Sequence, residues 1–413
     1  VASLKYWLWL TTRRALGGAA QRRVMEYFGT PEDAFFADRR EYELAGLNPG
    51  ECNALEDHDL GRPEQIMESC ERLGIRAITL RDAEYPNRLK HIYDPPMLLY
   101  VKGRFPDFDE EVAISIVGSR SCSAYGELCA QRLSYQIAGC GALVLSGLAR
   151  GIDTAAITGA LKAGGQVAAV LGGGADVIYP RENRFLFADV TAAGALISEY
   201  PPGTEPIGAH FPVRNRILSG LSLGVLVVEA AQRSGALITA DHALEQGRDV
   251  FAVPGNIDAP LSAGTNRLIR DGAAALVTNG WDVMREYAAL YPHKIAYSKA
   301  VQEPQEPAAA VPQQAPPPAV PLSAEQAVRE KEVDKTSDKA YIDLQEQGAS
   351  FTDDELDILS RLGLHVLHVD DVIDRTQIPA RRVLSALTIL EMRGLVRQHE
   401  GKRFESLVIL KNE

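Results

Sequence analysis

The chain has 413 residues, a formal net charge of −12, and 46 % hydrophobic against 24 % charged residues. That is ordinary globular composition, and at about 100–200 residues per domain the length predicts two to four domains. The acidic balance excludes a global positive field, so any nucleic-acid site has to be local.

The five cysteines, Cys52, Cys70, Cys122, Cys129 and Cys140, form no C-x-x-C pair. An odd, scattered set argues against a disulfide framework and against structural zinc. Reduced thiols are expected, which points to the cytoplasm. The opening run Val1–Leu10 is apolar and carries two Trp, but it passes straight into Thr11-Thr-Arg-Arg14 without a small-residue cleavage site. It reads as a core helix and not as a signal peptide. No segment reaches the roughly 18 apolar residues that span a bilayer, so no membrane association is expected.

Residues 1–75 read as short helices. Leu4, Leu8, Leu16, Val24, Met25, Tyr27 and Phe28 recur at roughly helical spacing, and Thr30-Pro31 is a helix start. Ala45-Gly-Leu-Asn-Pro-Gly50 breaks into a further helix. The pattern suggests a small SAM-like or helix-hairpin-helix module. Its phosphate-binding hairpin would be Leu16-Gly17-Gly18, so a structural role is preferred. Residues 76–107 form a connector with Tyr85-Pro86, Pro95-Pro96 and a strand-like Met97–Val101.

Residues 108–287 alternate short apolar runs with helix-length segments. Strands are expected at Ala113–Val117, Ala142–Leu145, Val167–Leu171, Ala195–Ser198, Val225–Glu229, Val250–Val253 and Ala275–Thr278. Helices are expected at Tyr125–Ala138, Asp153–Ala163, Glu182–Ala193 and Ala236–Gln246. Nearly continuous apolar strands between helices predict a Rossmann-like, doubly wound, mainly parallel α/β sheet. Residues 288–349, with the Pro/Gln-rich run Val301–Pro321 and the charged run Glu325–Lys339, read as a linker. Residues 350–413 read as a winged helix. Thr352-Asp-Asp-Glu355 caps its first helix, and Val366, Val369, Val372 and Ile373 carry the second. Ile378–Leu387 and Leu390–Val396 follow, then a polar turn at 399–402 and a strand Phe404–Leu410. Arg381 and Arg382 lie on the expected recognition helix, and the acidic first helix (Asp353, Asp354, Glu355, Asp357) works against DNA docking there.

In an open α/β sheet, ligands sit beyond the carboxyl ends of the strands. The first strand ends in Gly118-Ser119-Arg120, and the second in Ser146-Gly147-Leu-Ala-Arg150-Gly151-Ile-Asp153, which feeds a helix N-terminus. Such a turn favours an anion. It lacks the Gly-Lys-Ser/Thr of a Walker loop and the G-x-G-x-x-G of a dinucleotide site. The third ends in Gly172-Gly-Gly174, which leaves room for something to approach the main chain. The fourth leads to Phe211-Pro-Val-Arg214-Asn215-Arg216, where an aromatic ring stands among basic groups. Single strands are held in that way without reading sequence. The fifth leads to Glu229, expected to cap or pair, and to Ser234-Gly235; the sixth ends in Pro254-Gly-Asn256. No Ser/His/Asp set, metal cluster or paired carboxylates can be found, so neither a catalytic residue nor a metal or cofactor is expected.

These motifs, in this order, resemble the DprA/Smf family of DNA-processing proteins. The likeness rests on Gly118-Ser-Arg120, Ser146–Asp153, Gly172–Pro180, Phe211–Arg216, Val228-Glu-Ala230 with Ser234-Gly235, and Val253-Pro-Gly255 with Gly264-Thr-Asn266. The resemblance implies sequence-independent binding of single-stranded DNA and loading of the RecA recombinase onto it. It places this in DNA uptake (natural transformation, competence) and recombination, by a homodimer that is not an enzyme. It assigns strand contact to Arg120, Arg150, Phe211, Arg214, Asn215 and Arg216. Gly118 and Gly147 allow close approach, and Ser119, Ser146 and Gly151 lie in the same turns. Two rivals are a nucleotide-hydrolysing enzyme of the LOG type, whose Pro-Gly-Gly-x-Gly-Thr-x-x-Glu signature is missing from Glu229–Thr239, and a winged-helix transcriptional regulator.

Overall fold

The computed structural model describes residues 4–13, 15–298, 340–342, 351–362, 366–376, 378–393, 395–399 and 403–410. The expected linker runs Val301–Pro321 and Glu325–Lys339 lie outside them. The chain divides into two compact units, Val1–Val311 and Pro312–Glu413.

The first unit opens with six helices, α1 Leu4–Thr12, α2 Gly18–Phe28, α3 Pro31–Phe36, α4 Arg39–Leu44, α5 Pro49–Leu55 and α6 Gly61–Leu73. Local chemistry starts them as expected. Thr30 accepts from the Asp33 amide ahead of Pro31, and Asn48 accepts from the Glu51 amide in a capping box. The apolar α1 is buried from Tyr6 to Leu10 for a clear reason. Trp9 and Leu10 pack into the helical cluster, while Trp7 and Leu8 pack with Leu98 and Tyr100 at the sheet edge. The helical segment therefore shares its core with the sheet.

Then follow β1 Ile75–Thr79, α7 Asn87–Lys90, β2 Leu98–Gly103, β3 Ala113–Val117, α8 Ala124–Gly139, β4 Leu143–Ser146, α9 Ile152–Lys162, β5 Val167–Leu171, α10 Arg184–Ala193 and β6 Gly194–Ser198. After them come α11 His210–Leu221, β7 Gly224–Val227, α12 Gly235–Glu245, β8 Asp249–Ala252, α13 Ala263–Arg270, β9 Ala275–Leu276 and α14 Gly280–Ala288. They build a nine-stranded sheet in the order β1-β2-β6-β5-β4-β3-β7-β8-β9. From β6 to β9 all pairings are parallel, whereas β1 and β2 pair antiparallel with each other and β2 pairs antiparallel with β6. The expected connector at 76–107 thus supplies two strands of the main sheet.

Alternation along each strand feeds two cores. In β3, Ile114 and Ile116 face α8, α9 and α14, while Ala113 and Val117 face α11 and α12. Serines inside the apolar strands satisfy themselves on nearby backbone. Ser115 Oγ donates to Leu218 O at 3.0 Å, and Ser198 Oγ donates to Gly173 O at 2.7 Å. The five cysteines are not disulfide-bonded. Among the described residues, no helix is long and apolar enough to cross a membrane.

In the second unit, α15 Asp353–Leu362, β11 Val366–His368, α16 Val369–Thr376, α17 Ala380–Met392, β12 Val396–His399 and β13 Arg403–Ser406 form a winged helix. Its three-stranded sheet has the order β11-β13-β12. Thr352 and Glu355 form the anticipated capping box. Val366 lies in a strand and not in the second helix, which begins at Val369. The expected last strand is two pieces, β13 and β14 Val408–Leu410, the latter parallel to β10 Ala340–Ile342.

Helix α8 packs closely on α9. A Cβ on Gly159 would stand 2.1 Å from Ser134 Oγ and 2.3 Å from Gln131 O. Gly159→Ala is therefore expected to destabilise the first unit by about 1–3 kcal/mol in denaturant melts, outweighing the roughly 1 kcal/mol gained from helix propensity.

Candidate nucleic-acid interface

The strand order reverses between β3 and β7. The chain after β3 winds outward through β4, β5 and β6, and then returns on α11 to place β7 on the other side of β3. The loops diverging there leave a crevice, the usual ligand position in such sheets. A cleft of about 410 Å³ occupies it, walled by the turn after β3, by α11 and by the start of α12.

The first wall is fixed by close packing. A Cβ on Gly118 would lie 2.6 Å from the Ile152 side chain and 2.9 Å from Glu229 O, so only glycine lets the turn pass. The Ser119 amide donates to Glu229 O at 2.8 Å, and Ser119 O accepts from the Ile152 amide at 3.1 Å. Gly151, at φ +73°, leaves space for the same segment, since its Cβ would be 2.3 Å from Ser119 O. From this anchored turn Arg120 projects into solvent with its guanidinium 4.5 Å from the centroid of Phe211. Arg120 forms no ion pair among the described residues.

Phe211 and Arg214 sit one turn apart on α11. The Arg214 guanidinium is 6.0 Å from the Phe211 centroid, and Tyr179 flanks the ring at 5.7 Å. Arg214 is 3 % exposed. Its Nη2 is 3.5 Å from Gly147 O, and its Nε and Nη1 have no hydrogen-bond partner among the described residues. Gly147 makes room for it, because a Cβ there would stand 1.9 Å from Nη1. Burial pulls the guanidinium down to about 10, with Asp153 opposing and Arg120 adding to the fall. It stays charged at neutral pH. Burial pushes the Asp153 carboxyl up, against the pull of Arg214, and one of its oxygens accepts from the Ala149 amide at 3.3 Å. Opposite, Ser234, Gly235 and Ala236 bring the N-terminal end of α12 to the cleft, and Asn215 ties the two helices by donating to Gly235 O at 3.3 Å. Two guanidinium groups, a helix N-terminus and a half-buried ring thus share one recess. That set suits a phosphate with a flanking base.

Other expected contact residues lie elsewhere. Ser146 is fully buried and its hydroxyl donates to Ile116 O at 2.7 Å, joining β4 to β3. Arg150 is exposed but paired with Glu182 at 2.6 Å, and it does not line the cleft. Arg216 is buried and held bidentately by Glu199 at 2.6 and 2.9 Å, with Asp94 Oδ2 at 3.2 Å. At about 100° per residue, positions two apart on a helix face opposite ways, so Arg214 and Arg216 cannot both serve the cleft. The three glycines after β5 admit the chain itself. A Cβ on Gly172 would be 3.1 Å from the Phe211 ring, and one on Gly173 would be 2.8 Å from Thr204 O. Glu229 caps the start of α8, accepting from the Ser123 amide at 2.9 Å and its hydroxyl at 2.5 Å.

In the outer modules, the positions expected to meet DNA already have acidic neighbours. At the would-be hairpin, Asp94 Oδ1 stands 2.3 Å from where a Cβ of Gly18 would be, so a carboxylate already lies against that turn. On α17, Arg382 is bound bidentately by Asp354 at 2.7 and 2.8 Å, while Leu384 and Ile389 are exposed.

An extended Rossmann-like sheet with a basic, aromatic recess at its switch point, followed by a winged helix, defines the class of the DNA-processing proteins. Residues 76–288 match the family DNA recombination-mediator protein A, and residues 343–402 match the DprA winged helix domain. The chain belongs to the DNA recombination-mediator protein A family. It is 41 % identical over 235 residues to DNA processing protein DprA of Bacillus subtilis, covering 57 % of this chain and 78 % of that one. It is 46 % identical over 215 residues to DNA processing protein DprA of Streptococcus pneumoniae, covering 51 % and 74 % respectively. The X-ray structure of DNA processing protein A from Streptococcus pneumoniae superposes with a TM-score of 0.62 at 37 % identity, over 68 % of this chain and 97 % of that one.

The two arginines of α11 should separate in a melt. Arg216→Met leaves Glu199 without its partner and is expected to cost about 3 kcal/mol or more. Arg214→Met removes an incompletely bonded buried charge but leaves the buried Asp153 without its opposing charge, and is expected to cost clearly less than Arg216→Met.

Proposed function

We propose that this protein binds single-stranded DNA without reading its sequence. In this reading Arg120, Arg214 and the N-terminus of α12 hold phosphates, and Phe211 stacks on a base. Gly118, Ser119, Gly147 and Gly151 shape the walls, and Asn215 braces them. Arg150 contributes charge only where strand phosphates displace Glu182. The observation that carries the reading is the buried Arg214 guanidinium, two of whose nitrogens find no partner within the described residues. A buried unpartnered donor is costly unless a ligand completes it.

Membership in a family of recombination mediators supports the further reading that the protein delivers the strand to the RecA recombinase, in uptake of DNA and in recombination. We place this in the cytoplasm and assign it to a homodimer. A chemical step is not part of the proposal, because Glu229, the one carboxylate expected near a hydrolytic centre, is bonded to Ser123.

Titration of oligo-dT against the full chain at several salt concentrations tests the site. Affinity should fall with a log–log slope of about −0.7 per phosphate neutralised. Arg120→Glu should weaken binding and flatten that slope, and an unchanged affinity removes the site. Phe211→Ala should cost about 1–3 kcal/mol of binding with the slope retained.

A further inference from the structure

A second recess lies along the same carboxyl rim of the sheet, on the other side of the 118–123 segment. It has a volume of about 560 Å³ and is built by Tyr125, Glu229, Asn256 and the 259–262 segment. Its shape is fixed before any ligand arrives. Tyr125 is 50 % exposed, yet its hydroxyl donates to Pro254 O at 2.8 Å, so the ring is pinned across the mouth. The far wall is pinned as well. Asn266 accepts from the Gly255 amide at 3.1 Å and donates to Gly255 O at 3.0 Å. A Cβ on Gly255 would be 2.0 Å from Ser262 Oγ, so glycine lets the wall fold inward.

The lining chooses among the parts of a nucleotide. No Lys or Arg lines the recess, and Glu229 stands in it 3 % exposed, so a phosphate is repelled. Pro254, Pro260 and Leu261 give it an apolar body. A pinned aromatic face, apolar walls and a few hydrogen-bonding groups suit a flat heterocycle with N–H donors on its edge. Glu229 is acceptor-only when ionised, and each oxygen keeps a free lone pair beside its bond from Ser123. Asn256 adds an exposed amide at the rim.

The geometry points to a second nucleobase pocket here, filled by a neighbouring base of the strand whose phosphate lies at Arg120. The strand would straddle the 118–123 segment, with one base at Phe211 and another at Tyr125. This inference rests on the single-strand reading above.

Short oligo-dC carrying one abasic position, walked along the strand, tests it by fluorescence anisotropy with the full chain. The wild type should show two separate positions where loss of the base weakens binding about five-fold or more. Tyr125→Ala should weaken the intact oligonucleotide by a similar factor with an unchanged salt slope. It should also abolish sensitivity at one position and keep the Phe211-dependent one. Asn256→Ala, at an exposed site where the side chain's one bond among the described residues is the 3.3 Å contact its Oδ1 accepts from the Asp258 amide, should reduce the same sensitivity. If Tyr125→Ala and Asn256→Ala bind like wild type while Arg120→Glu is weakened, the second pocket is wrong and the strand site stands. If Arg120→Glu also binds like wild type, both fall.

Discussion

The site depends on a guanidinium kept inside the protein without a full set of partners. Arg214 enters the crevice only because residue 147 has no side chain, and Asp153 opposes part of the effect of burial on its charge. Asp153 is close enough to act through its field yet forms no contact ion pair, and it is engaged with the Ala149 amide. Had the two met directly, the charge would be consumed as it is at Arg216, which Glu199 and Asp94 hold. Phe211 links Arg214 to the exposed Arg120, so one ring organises both charges. A buried charge in this state weighs against stability, and such costs are commonly found where binding needs them.

That local arrangement reconciles an acidic chain with an anionic ligand. Several basic groups elsewhere in the first unit are matched to acids, among them Arg13 with Asp57, Arg23 with Glu51, and Arg39 with Glu43 and Glu56. Within the winged helix, Arg382 is matched to Asp354 and Arg393 to Glu355. The recognition-helix position there shows Leu384 and Ile389 outward, which does not favour docking on a phosphate backbone. In the crevice, by contrast, Arg120 and the N-terminus of α12 point into open space.

Much of the fold was legible because buried parallel strands read as unbroken apolar runs, and β3 and β5 were located to the residue. The edge strand β1 is hard to see in the sequence because Arg76 interrupts its run with a charge. The larger miss was α11. Pro212 in its first turn is tolerated by a helix but reads as a loop, and no side-chain cap precedes it. Without the helix, Arg214 and Arg216 carry equal weight in the sequence, although their spacing of two residues separates them on α11. Glycine-rich turns read, in sequence, as space for a ligand. At Gly172 and Gly173 the chain's own Phe211 and 204–206 segment fill that space, and sequence cannot distinguish an internal neighbour from an external one. Tyr125 gave no signal, since its role depends on a hydroxyl bond to Pro254, 129 residues away.

The central claim is that Arg214 is completed by the strand. Its Nε–H resonance can be followed in a nitrogen-edited spectrum, with assignment from the Arg214→Lys variant. On saturation with a short single-stranded oligonucleotide, that resonance should shift and its exchange with solvent should slow, while the Arg216 Nε–H, already bonded to Asp94, stays in place. An Arg214 signal that is unmoved at saturation would contradict the account.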